Sequence, residues 1–187
     1  MTPAEFLEIL SLAEKLKCTT RHCYTSTGRH ESVAEHSWRI SLMAMLLTPE
    51  FPDTDMNKVI RMCLIHDLGE AFTGDIPTFD KTDADTHLED RLFRTWVRSL
   101  PSQTRAEWEA LLDEMDAMQT PEAKLYKALD KMEAVIQHNE SDISTWLPLE
   151  YQLQLVYGAE NVKFSPWLRE LKQEIDDWTH RKIAENR

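Results

Sequence analysis

The chain has 187 residues and a mass of 21.9 kDa, with 42% hydrophobic and 29% charged residues, so it is long enough for one real core and ordinary for a water-soluble globular protein. Its 33 Asp and Glu against 21 Lys and Arg leave a formal net charge of −12, a field that repels nucleic acid polymers, whose binding takes a clustered positive footprint. A small phosphorylated ligand stays within reach, because a bound metal ion reverses the local sign.

Helical periodicity dominates from end to end. Pro3 to about Leu16 places Phe6, Leu7, Leu10, Ala13 and Leu16 at helical spacing. The polar stretch "KCTTRHCYTSTGRHE" up to Glu31 reads as an ordered loop. Ser32 with Glu35 three residues on forms a capping box, which predicts a helix to about Leu47. Asp55 caps the next, whose apolar face is Val59, Ile60, Cys63 and Leu64 and which is expected to end near Phe72. Further helices are predicted over about Ala84 to Leu100 and Ser102 to Met118. Thr120-Pro121 starts another, with Leu125, Leu129, Met132 and Ile136 on one face. Trp146 to Tyr157 is expected to end at the C-cap Gly158, and Ser165-Pro166 opens the last helix. The expectation is a single all-α domain over residues 1–187, of about seven helices, with the motif-bearing part at 5–140 and helices of 146–185 packed on it.

No apolar run approaches the roughly 20 residues of a membrane span. Met1 to Lys17 carries acids and no cleavage-type tail, so no signal peptide is expected. The cysteines, Cys18, Cys23 and Cys63, form no disulfide framework, which points to a reducing cytoplasm.

The segment "CLIHDLGEAFTGD" departs from core-filling behaviour. It sets His66 and Asp67 among Met62, Cys63, Leu64, Ile65 and Leu68, where an unpaired acid carries a desolvation cost. Adjacent helical residues differ by about 100°, so both side chains reach one cation only at a helix edge. Glu70 lies one turn on from His66, and Asp75 follows the break at Gly74. Two other helices offer donors: His36, flanked by Val33, Ile40 and Met43, and Asp130, at the margin of the stripe holding Tyr126 and Leu129. For Asp130 a plain ion pair with Lys127 or Lys131 fits equally well at this point. Two imidazoles and two carboxylates make a mixed nitrogen–oxygen site for one divalent ion, with Co, Mn, Mg, Fe and Zn all open. His138 lies about 12 Å along the axis from Asp130 at the standard rise, too far to share its ion.

His36, the pair His66-Asp67 and Asp130 resemble the H…HD…D signature of the HD-domain metal-dependent phosphohydrolases. The blocks "RH" at 21–22, "ESVAEHSW" at 31–38, "HDLGEAFTGDIP" at 66–77 and "EAKLYKALDK" at 122–131 resemble the bacterial 5′-deoxynucleotidases and the related HD-domain-containing proteins of eukaryotes. The resemblance implies that His36, His66, Asp67 and Asp130 hold one divalent ion. It also implies that Glu70 and Asp75 are the catalytic carboxylates, that Arg21 contacts a phosphate, and that the protein is a homodimer acting on nucleoside 5′-monophosphates. In the characterised relatives a tryptophan near the sugar follows the arginine; here His22 takes that place, so discrimination against a 2′-hydroxyl does not carry over. Dinuclear HD enzymes need further histidines between the HD pair and the last aspartate, and only His87 lies there, which favours a single ion. Two rival readings stay open at this level: another HD phosphohydrolase activity, on a ribonucleotide, cyclic nucleotide or nucleoside triphosphate, and a non-enzymatic helical module that keeps its metal for folding.

Overall fold

Side-chain caps fix most of the helix starts, each stabilising its helix by about 1 kcal/mol. The computed structural model describes residues 1–186. Helix α1 (Pro3–Lys15) begins at a capping box in which the Glu5 amide donates to the Thr2 hydroxyl and the Thr2 amide to the Glu5 carboxylate. Helix α2 (Val33–Leu46) repeats the device with Ser32 and Glu35, as predicted. Asp55 caps α3 (Met56–Ile65), and α4 is the single turn Glu70–Thr73. Helices α5 (Asp83–Arg98) and α6 (Ser102–Ala117) fall within two residues of their predicted bounds. Thr120 caps the 20-residue α7 (Pro121–Glu140), and Ser165 caps α9 (Pro166–Glu185) after the short α8 (Glu150–Val156). The all-α class holds, and the count is nine α-helices among the described residues. No helix there is long and apolar enough to cross a membrane.

Helix α7 is the axis of the molecule, packing against α2, α3, α6 and α9. Its Leu125, Leu129 and Met132 are fully buried with Ile40 of α2, Met62 of α3 and Leu168 of α9. Each such side chain contributes about 1.5–3 kcal/mol of apolar transfer. Between α7 and α9, Asn139 donates to the Thr179 hydroxyl at 2.9 Å, so the two longest helices are also tied by a buried polar contact.

Four local expectations are corrected. The 17–31 stretch is not only loop: β1 (Thr20–Tyr24) pairs antiparallel with β2 (His30–Ser32), Thr20 opposite Ser32 and Tyr24 opposite His30. Its residues are polar on both faces, so no period-2 apolar pattern marks them. The helix expected to run from Asp55 to near Phe72 stops at Ile65, turns through 66–69 and resumes only as α4. On α1 the buried residues are Leu12 and Leu16, whereas Phe6, Leu7 and Leu10 are exposed. The Trp146–Tyr157 helix is shortened to α8 because Pro148 has no amide to donate and disfavours helical backbone at Leu147. Gly158 does follow its end at φ +77°, and a Cβ there would lie 2.9 Å from Lys131 Cβ, so the position needs glycine twice over.

Candidate active site

The break after α3 is what brings His66 and Asp67 to one point. On a continuous helix their side chains would diverge; here His66 is the last residue held by a helical bond, its amide donating to Met62 O, and Asp67 lies in the following turn. His36 enters from α2, on the same face as the buried Val33 and Ile40, and Asp130 from α7. The four meet. His36 Nε2 lies 3.3 Å from Asp130 Oδ1 and 3.8 Å from Asp67 Oδ2, while His66 Nε2 lies 3.0 Å from Asp67 Oδ2 and 3.9 Å from Asp130 Oδ1.

The ring tautomers follow from the outer partners. His66 Nδ1 is 2.9 Å from the Cys63 carbonyl, which can only accept, so the proton sits on Nδ1 and the Nε2 lone pair faces the centre. His36 Nδ1 meets the Glu133 carboxylate at 2.5 Å, with the same consequence. Both Nε2 atoms are buried without a hydrogen-bond partner. Asp130 divides its oxygens: Oδ2 accepts from Lys127 Nζ at 2.8 Å, leaving Oδ1 to the centre. The nitrogen–oxygen distances of 3.0 to 3.9 Å between the two orphaned imidazole nitrogens and the two carboxylate oxygens match the spacing of about 3 to 4 Å expected around an ion with bonds of about 2.0–2.2 Å. The residues fit a divalent cation.

The charge balance around the centre keeps its carboxylates ionised. Burial pushes the Asp67 carboxyl up, but the His66 and His36 rings outweigh it and hold it below the ordinary range. Burial likewise opposes ionisation of Asp130, and Lys127 and Lys131 reverse the balance, well below the usual carboxylate value. For His36, burial and the Arg21 charge disfavour a second proton, yet Glu133 and Asp130 lift it to about 9.

Glu70 is 5% exposed and its Oε2 has no partner. Burial first, then the charges of Asp67 and Asp75, push its carboxyl up to about 10. Asp75 follows Gly74, whose φ of +80° turns the chain out of α4. Burial raises this carboxyl too, although Arg21 opposes it. Arg21, on β1, is half-buried, and its Nη1 donates to Glu31 at 2.9 Å and to Glu133 at 3.2 Å. Arg21, His22 and Asp75 line a small cleft together with Phe79, His138 and Glu150. None of the four central residues lines it; Arg21 reaches His36 through Glu133, and Asp75 lies close enough to feel the charge of Asp67.

Several of these residues escaped the sequence reading. Glu133 is fully buried, and its single oxygen Oε2 accepts from both His36 Nδ1 and Arg21 Nη1. A signal existed: it sits four residues after Leu129 and three before Ile136, an acid in the register of an apolar stripe. Glu31, 2% exposed, and Glu150, 1% exposed, carried no such mark. His138, excluded from the Asp130 ion by distance, reaches the cleft instead. Glu35 does not touch a central histidine or Arg39; it completes its capping box and pairs with Arg29 at 2.5 Å. Glu122 bridges to α3, accepting from the Asp55 amide at 3.0 Å. Trp38 is exposed, and Trp167 packs against the core.

Comparison with known proteins bears on the chain as a whole. The human 5′-deoxynucleotidase HDDC2 is 29% identical over 175 residues, covering 91% of this chain and 84% of its own. The Dictyostelium discoideum 5′-deoxynucleotidase HDDC2 is 31% identical, with 86% and 90% covered. The crystal structure described as a "predicted metal-dependent phosphohydrolase" from Magnetospirillum magnetotacticum superposes with a TM-score of 0.79 at 29% identity, over 96% of this chain and 93% of that one. The model of the HD domain matches residues 13–172, and the chain belongs to the HD domain family.

Proposed function

We propose that residues 1–187 form one metal-dependent phosphohydrolase domain that cleaves nucleoside 5′-monophosphates, preferentially 2′-deoxyribonucleotides, to nucleoside and phosphate. The observation that carries this reading is the pair of buried, unpartnered Nε2 atoms of His36 and His66 converging with Asp67 and Asp130 beside a cleft that holds Arg21 and Asp75. The similarity to proteins named 5′-deoxynucleotidase over most of their length supports the choice of substrate.

His36, His66, Asp67 and Asp130 hold one divalent ion, with Glu133 and the Cys63 carbonyl fixing the two imidazoles from behind. Bound there, the ion supplies Lewis-acid polarisation of a phosphoryl oxygen and a water of lowered pKa. Arg21, preset by Glu31 and Glu133, offsets charge on the equatorial phosphoryl oxygens. With a cation held by Asp67 and its partners, the Asp67 charge would weigh less on Glu70, and the Glu70 side chain, ionised, would take the proton of the attacking water. The new bond forms between water oxygen and phosphorus, the P–O5′ bond breaks, and Asp75 delivers a proton to the departing O5′. A raised Asp75 carboxyl suits a donor. The setting is a cytoplasmic homodimer, as the family resemblance implies.

The test is phosphate release from matched deoxyribo- and ribonucleoside 5′-monophosphates with Co²⁺, Mn²⁺ or Mg²⁺ added. Release from the deoxyribonucleotides, absent after chelation, is expected. Release from no monophosphate with any of the ions would overturn the assignment.

A further inference from the structure

A second cluster of donors stands in the cleft wall, assembled from α8, β1 and the C-terminal end of α7, beyond Asp130. Glu150 opens α8, His138 lies near the end of α7 and His22 is on β1. One carboxylate oxygen, Glu150 Oε1, lies 2.9 Å from His138 Nε2 and 3.3 Å from His22 Nε2. The donor atoms of the three residues all fall within 4.8 Å of one another. The other oxygen, Oε2, accepts the Leu147 amide at 2.7 Å, which fixes the direction in which Oε1 points.

The tautomer of His138 makes this arrangement incomplete as it stands. Its Nδ1 is 2.8 Å from the Ala134 carbonyl, an acceptor only, so the proton belongs on Nδ1. The Nε2 lone pair then points at a carboxylate oxygen, and two electron-rich atoms face each other at hydrogen-bond distance. A positive species between them is required. A proton would satisfy His138 and Glu150, with His22 donating to the same oxygen from its own Nε2–H. A metal ion satisfies all three donors at once.

The supports are already in place. The carbonyl behind His138 is the kind of outer partner that orients a metal-binding imidazole. The ring also packs edge-on to Trp146, with centroids 6.0 Å apart, and His22 packs edge-on to Phe79 at 5.4 Å. Two imidazoles and one carboxylate, with remaining positions open to the cleft, form the donor set of an open zinc site.

We propose that His22, His138 and Glu150 form a second cation site of the Zn²⁺ class in the cleft wall, separate from the ion held by His36, His66, Asp67 and Asp130. This inference stands apart from the choice of substrate above and needs no turnover to be tested.

The experiment is a count of Zn²⁺ per chain, by elemental analysis, after chelation of the full-length protein, reloading with Zn²⁺ and removal of free metal. Two ions per chain are expected in the wild type. Glu150→Gln, nearly the same size and able to keep its bond to the Leu147 amide, and His22→Phe, which keeps a ring against Phe79, should each hold one. Asp67→Ala should also hold one, and the Asp67→Ala/Glu150→Gln double variant none. Circular dichroism and thermal melting establish that each variant is folded. A wild type that holds a single ion, lost in Asp67→Ala, overturns the second site and leaves the first intact. Two ions retained in both Glu150→Gln and His22→Phe overturn it as well. If Glu150→Gln loses one ion while Asp67→Ala loses none, the second site stands and the reading of the first fails.

Discussion

The four-residue centre and the cleft beside it are built in opposite ways. The centre takes its side chains from α2, the end of α3 and α7, the helices that carry fully buried Ile40, Met62 and Leu129. Its two imidazoles are buried with no partner at Nε2, Asp130 is nearly buried, and Asp67 alone keeps a partly exposed side chain. The cleft is lined by β1, the irregular 75–79 segment, α8 and the C-terminal end of α7, and its histidines remain partly exposed. Rigid, dry surroundings fix a cation in one geometry, whereas short polar elements shape a ligand with more tolerance. Damage to the centre should therefore remove function outright, and damage to the cleft should retune it.

The largest effect is expected from Asp67→Ala, which deletes a donor from the middle of the centre. The ion of that centre should be lost and phosphate release should fall to the level of the chelated wild type; elemental analysis beside a phosphate assay checks both. Glu70→Gln is next. It keeps the shape of the side chain, so metal content should stay at the wild-type level while kcat falls by about 10²–10⁴-fold, the usual contribution of a positioned proton acceptor. Unchanged turnover in that variant would remove Glu70 from the reaction.

Glu133→Gln sharpens the comparison from behind the centre. The amide still reaches His36 Nδ1 but without its charge, so affinity for the ion should weaken by about 10–100-fold, with turnover recovering at high metal concentration. A metal titration read by activity separates this from loss of folding. The smallest effect belongs to the cleft: His22→Ala should leave kcat nearly unchanged and alter KM, and the preference between deoxyribo and ribo substrates, by about tenfold or less. A collapse of kcat would place His22 in the chemistry.

The contrast between the two regions also decides what could be read without a structure. Val33, Ile40, Leu125 and Leu129 announce their helices through apolar spacing, and polar residues that interrupt those faces, His36 and Asp130, stand out against them. Glu133 obeys the same logic, an acid in the register of Leu129 and Ile136. The break after Ile65 left no mark, since nothing from Leu64 to Glu70 except Gly69 disfavours helix; the turn is a tertiary choice that lets His66 and Asp67 face one point. In the cleft the failure is of another kind. His22, His138 and Glu150 are far apart in sequence, lie outside any periodic stripe and meet only because the hairpin and α8 both come to α7. Pro148 gave the one local sign, by shortening the helix that carries Glu150.

The account rests on one ion held by donors from three helices, and anomalous diffraction from crystals of the Mn²⁺-loaded protein tests it most directly. The expected result is a peak lying between His36 Nε2, His66 Nε2, Asp67 Oδ2 and Asp130 Oδ1, within about 2.0–2.3 Å of each. Fully loaded protein with no density among those four atoms would contradict it.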